Sequence, residues 1–208
     1  MAKSNHLPLI LFIAAVWLCS HLSSDSVGRD FRTSPGRTVG FIQNTASLAA
    51  QRLLLQSVFT SEIGVREKNN RNDGCRVEEY LAYTANNKGD AWCAAFVCWA
   101  LGRAGIANPR SAWSPELFPA GRIIWKNSWL SKKEQPQTGD VFGLWFNNKG
   151  RIAHCGFIAI WGDSQVITVE GNTNENGSRE GDGVYRKRRS VRSLYAVADW
   201  LNRKEQQK

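Results

Sequence analysis

Gly89-Asp90-Ala91-Trp92-Cys93-Ala94-Ala95-Phe96-Val97-Cys98-Trp99-Ala100-Leu101 is apolar on every side once its first two residues are passed. A helix with no polar stripe has to be buried all round, so this stretch reads as the central helix of a hydrophobic core. Asp90 is its natural N-cap, because a short carboxylate accepts from the unpaired N–H groups of a first turn. That choice places Cys93 in the first turn, where free N–H groups and the positive end of the helix dipole favour a thiolate. Cys98 lies deeper and away from that face, and reads as a small core residue. Gly105 then caps the C-terminus.

Working upstream, Leu48, Leu53, Leu55, Val58 and Phe59 recur on a helical period between Thr45 and Ile63, with Thr45 as N-cap and Gly64 as the stop. Val77 to Tyr83 is a short helical segment between turn-forming stretches at Asn69 to Gly74 and Asn86 to Gly89. Residues 23–44 are rich in Ser, Gly, Arg and Thr without apolar periodicity, and read as a linker. Before them, Lys3 and the apolar run Leu7 to Leu18, broken only by Pro8, have the pattern of a secretory signal. That run is shorter than the roughly 20 residues that span a bilayer, but no small-x-small cleavage site follows it. Residues 1–22 are therefore expected to be a signal peptide or an N-terminal membrane anchor, and the chain to be exported to the periplasm, the cell envelope or the medium. Trp17 and Leu18 ahead of Cys19 are the wrong residues for lipoprotein acylation. One domain, residues 45–208, accounts for the rest; a hydrophobic content of 42% with nine Trp is enough for a core and argues against disorder.

Downstream, a loop carrying Pro109, Pro115 and Pro119 and the aromatics Trp113, Trp125 and Trp129 gives way to a period of two. These tryptophans could wall a groove, although core or rim positions are commoner for them. Strands are predicted at Val141 to Phe146, Ile152 to Ile160, Gln165 to Glu170, Gly183 to Arg188 and Tyr195 to Trp200, joined by short Asn/Gly/Asp/Ser turns. Helices first and hairpin-linked strands after them specify an α+β fold, N-terminal helices packed on a C-terminal antiparallel β-sheet meander.

Of three histidines, His6 and His21 belong to the leader or its edge, which leaves His154 as the one imidazole of the folded domain able to deprotonate Cys93. If Gly162 to Ser164 is the hairpin loop, Trp161 faces Gln165, and the same register sets His154 opposite Asn172 with Glu170 as its diagonal neighbour. Both then share a sheet face with the imidazole and can fix its tautomer, Glu170 as first choice and Asn172 as second. A zinc site built from Cys93, Cys98, His154 and Cys155 fails on geometry, since neighbouring strand residues point to opposite faces. With one thiol kept free for chemistry, Cys75, Cys98 and Cys155 allow at most one disulfide, and no pair is favoured.

The formal net charge of +9 suits polyanionic partners, including anionic envelope polymers. Arg186, Lys187, Arg188, Arg189 and Arg192 form the densest basic cluster, either a phosphate-binding patch or a solvated strand face. A nucleic-acid partner is not expected, because it leaves the leader and the Cys-His pair unexplained.

Taken in order, Gly89 to Val97, Gly139-Asp140-Val141, Ala153-His154-Cys155-Gly156-Phe157 and Val169-Glu170-Gly171-Asn172 resemble the CHAP family, the cysteine, histidine-dependent amidohydrolases and peptidases, over about Ile63 to Trp200. The resemblance implies the papain-like fold shared with NlpC-type peptidases. It also implies a nucleophilic Cys93, a base His154, a polar third residue at Glu170 with Asn172 beside it, no metal or organic cofactor, and bacterial peptidoglycan as partner and substrate. Two alternatives keep the same fold: a non-catalytic wall-binding module, and an amide hydrolase acting away from the wall.

Overall fold

The computed structural model describes residues 35–127, 135–175 and 181–202, with side chains from residue 47 onward. The leader, with His6, Cys19 and His21, lies outside the described residues, as does Trp129. Three helices come first: α1 (Pro35–Ser61), α2 (Cys75–Tyr83) and α3 (Cys93–Arg103). Six strands follow: β1 (Ile123–Lys126), β2 (Val141–Phe146), β3 (Arg151–Trp161), β4 (Gln165–Thr173), β5 (Gly183–Ser190) and β6 (Ala196–Ala198). Every strand pairing is antiparallel, so the fold is α+β as the sequence specifies.

α1 corrects the sequence reading at its start. It begins at Pro35, so the last part of the stretch read as a linker is helical and Thr45 lies within the helix rather than at its cap. Proline at a first helical position needs no N–H partner and has its φ preset, a start signal that apolar periodicity does not register. No helix among the described residues is long and apolar enough to cross a membrane.

α3 is the centre of the molecule, and every side chain from Cys93 to Leu101 is buried. Its C-terminus closes as the sequence predicts: Gly105 sits at φ +71°, its N–H bonds to Gly102 and the Ile106 N–H reaches back to Leu101. This is the paired Schellman closure that a left-handed glycine permits. Phe157 of β3 stacks on Phe59 of α1 at 4.7 Å and meets Phe96 of α3 edge-on at 6.0 Å, which ties both helices to the sheet. Arg52 of α1 adds an ion pair at 2.8 Å to the buried Asp140 at the mouth of β2.

The sheet order is β1-β6-β2-β3-β4-β5. Strands β2 to β5 form the expected meander, but β6 does not extend it. It returns to pair with β2 on the opposite side, and β1, in a stretch read as loop, pairs outside it. That return covers the edge β2 would otherwise leave open. A second apolar cluster, Phe142, Ile158, Val166, Leu194 and Val197 with Ile124 and Trp125, fills the space that β1 and β6 help to enclose. Cys75, Cys93, Cys98 and Cys155 are all free thiols.

Candidate active site

Cys93 is the first residue of α3, so its backbone N–H belongs to the unpaired first turn. Asp90 is not the cap. Its carboxylate accepts from the Asn87 backbone N–H at 2.9 Å and from Asn86 at 3.4 Å, closing a local turn that competes with capping. The cap position falls to Trp92, which offers no side-chain acceptor.

The start of α3 is instead fixed from across the fold. Asn172 Oδ1 accepts from the Trp92 backbone N–H at 3.1 Å, and its Nδ2 donates to Asn72 Oδ1 at 2.9 Å. Glu67 closes the ring: one oxygen accepts from the Asn72 backbone N–H at 2.8 Å, the other from Trp92 Nε1 at 2.8 Å. Asn172 is therefore bonded to the N-cap residue of α3 and not to His154, which corrects its expected role as an alternative orienter. It takes φ +54°, a left-handed conformation that asparagine tolerates better than most residues. Beside it, Gly171 lets β4 touch α3, since a Cβ there would stand 2.6 Å from the Trp92 ring.

His154 Nε2 lies 2.8 Å from Glu170 Oε2, and the carboxylate is fully buried. With Nε2 engaged, Nδ1 is the nitrogen left to serve the Cys93 thiol, which lines the same pocket as the imidazole and feels its charge. The register reaches this arrangement by an unexpected route. Trp161 pairs with Val166, so the β3–β4 loop is one residue longer than expected, and the first rungs are out of step. An irregularity between Ile158 and Ile160 absorbs the extra residue and restores Phe157 opposite Val169, the register on which the His154 to Glu170 pairing depends.

Glu170 is gripped from behind. Arg189 donates through Nε to Oε1 at 2.5 Å and through Nη2 to Oε2 at 2.6 Å, while Thr168 Oγ1 donates to Oε1 at 2.5 Å. Burial alone would raise the carboxyl's pKa, but Arg189 and His154 overcome it and hold the group down at about 2. Burial would likewise strip the proton from His154; its contacts with Cys93 and Glu170 prevail and raise it to about 9. At Cys93 a hydrogen bond from Cys155 and the charge and hydrogen bond of His154 outweigh burial and push the thiol well below its ordinary value. Cys155, raised by its own burial and by the neighbouring sulfur, keeps its proton as a donor. Ser114 Oγ stands 3.6 Å from the Cys93 sulfur. The resting state these contacts favour is a thiolate facing an imidazolium.

Arg189, Thr168, Ser114, Cys155, Asn72 and Glu67 were not singled out as site residues from the sequence. Arg189 was visible only as one member of the basic cluster. Alternation along β5 divides that cluster: Arg186 and Arg188 are exposed, while Lys187 and Arg189 share the face of Glu170 through the β4–β5 register. Open space adjoins Cys93 on two sides, in a groove of about 520 Å³ that reaches Trp113 and Arg151 and a pocket of about 350 Å³ that reaches His154 and Asn172. Among the described residues no group of three or more His, Cys, Asp or Glu side chains is arranged to hold a metal ion. No family model matches the sequence, and no curated protein or solved structure matches it.

Proposed function

We propose that this protein is a cysteine amidohydrolase or endopeptidase of the CHAP type, with a papain-like fold, that cleaves an amide or peptide bond in bacterial peptidoglycan. The observation that carries this reading is that Cys93 and His154 line one pocket while the Glu170 carboxylate stands 2.8 Å from the imidazole. A structural histidine in a strand has no need of a free thiol on one side and a clamped, fully buried carboxylate on the other.

In the proposed mechanism the Cys93 thiolate attacks the amide carbonyl carbon. The developing oxyanion is held by the Cys93 backbone N–H at the start of α3. The His154 imidazolium gives its proton to the departing amine, leaving an acyl-enzyme and a neutral imidazole. A water molecule deprotonated by His154 then attacks the thioester and releases the acid. Glu170 stays ionised throughout and holds the ring in the tautomer that faces the sulfur. Peptidoglycan as substrate is what the family resemblance implies, and the secretory pattern of residues 1–22 supports export to where that polymer is found.

The test is mass spectrometry of the soluble products released from purified peptidoglycan by the reduced protein lacking residues 1–22, beside Cys93→Ala and His154→Ala. New free amino groups without new reducing ends, absent with both variants, are the expected result and identify the bond. No release by the wild type contradicts the wall reading.

A further inference from the structure

The charges around Cys93 nearly cancel. Cys93 and His154 form one opposed pair, and Glu170 and Arg189, 2.5 Å apart, form the other. The pocket of about 350 Å³ beside the sulfur is nevertheless faced by Lys149, His154 and Arg189 and by no Asp or Glu among the described residues. With the other charges paired off, Lys149 carries the uncompensated positive charge of that pocket. Its side chain makes no hydrogen bond or ion pair with another described residue.

The backbone at Lys149 is held in place. The residue ends the turn Asn147–Lys149 at the tip of the β2–β3 hairpin, and Gly150 closes that turn at φ +61° with its N–H bonded back to Phe146 and Asn147. The same lysine borders the groove of about 520 Å³ on the other side of Cys93, and it is the one cation common to both spaces. That groove is also lined by Asp90 and Glu116, which leaves the smaller pocket as the space without an acidic side chain.

Resting on the function proposed above, we propose that the pocket is an anion subsite in which Lys149 binds a carboxylate adjacent to the scissile amide. The substrates selected are then stem peptides whose carboxylates are free, in preference to amidated ones. A cation without an internal partner, in a pocket lined by no acidic side chain, attracts an acidic substrate group.

The test compares two forms of one peptidoglycan stem-peptide fragment, with its carboxylates free and with them amidated. Hydrolysis is followed with wild type, Lys149→Gln and Lys149→Arg, and binding to Cys93→Ala is followed by calorimetry. Wild type should favour the free acid by at least about fivefold in kcat/KM, the scale of a partly exposed ion pair. The preference should reside in KM, vanish in Lys149→Gln and survive in Lys149→Arg. Lys149 is exposed, so its replacement leaves the fold intact. Equal cleavage of both forms by wild type, or a preference that persists in Lys149→Gln, overturns the subsite and leaves the hydrolase reading standing. Neither cleavage by wild type nor binding to Cys93→Ala, for either form, overturns the wall-substrate reading and the subsite together.

Discussion

Arg189 of β5 holds the Glu170 carboxylate of β4 by two N–H groups, at 2.5 and 2.6 Å, with Glu170 fully buried. The pair exists because a carboxylate that has to stay ionised beside an imidazole cannot be buried alone.

Removing Arg189 should therefore cost stability as well as activity. Arg189→Met leaves an uncompensated buried charge and is expected to destabilise the fold by about 3 kcal/mol, measured by urea unfolding. Arg189→Lys should recover little of this, because a point charge cannot satisfy both oxygens of the carboxylate.

Glu170→Gln keeps the shape of the side chain and removes its charge. We expect kcat/KM to fall by at least about a hundredfold. The alkaline limb of the pH–rate profile should also move down. That limb belongs to His154, raised to about 9, and Glu170 is one of the groups that raises it. A fall in rate with an unmoved limb would mean that Glu170 only packs the site.

Asn172→Ala frees the Trp92 backbone N–H and breaks one of the two links between the start of α3 and Asn72, leaving the one through Glu67. The Cys93 N–H then loses its fixed aim, so kcat should drop by about tenfold or more with KM little changed. Comparison of both constants on one peptide substrate checks this.

Gly171→Ala places a methyl group 2.6 Å from the Trp92 ring and 3.0 Å from Phe96. Overpacking of this kind costs about 1–3 kcal/mol, readable as a lowered thermal midpoint.

The central helix and the Cys93–His154–Glu170 line were legible in the sequence because each rests on a strong local signal. Cys93 stands at the head of an all-apolar run, His154 is the lone histidine of the domain, and Glu170 follows from strand parity. Parity was kept although the loop length was misjudged, since the irregularity near Ala159 returns the register before the site is reached. A buried face leaves no freedom to slip by one residue. What could not be read comes from contacts between distant segments. Asp90 has the chemistry of a cap, but a nearer N–H claims it, and the helix is fixed by Asn172, far along the chain. Arg189 looked like its exposed neighbours in the basic cluster, and only the pairing of β5 with β4 sets it against Glu170. The return of β6 to β2 is a choice between two open edges that its own short sequence does not record.

The most direct test is the rate of Cys93 alkylation by iodoacetamide as a function of pH. The thiol is held well below its ordinary value and His154 is raised to about 9, so the thiolate–imidazolium pair should persist between those limits. Reactivity is expected to be established well below the ordinary thiol value of about 8.5 and to stay level until His154 titrates, and in His154→Ala the midpoint should return toward that ordinary value. A single midpoint near 8.5 in the wild type, unmoved in His154→Ala, would contradict the account.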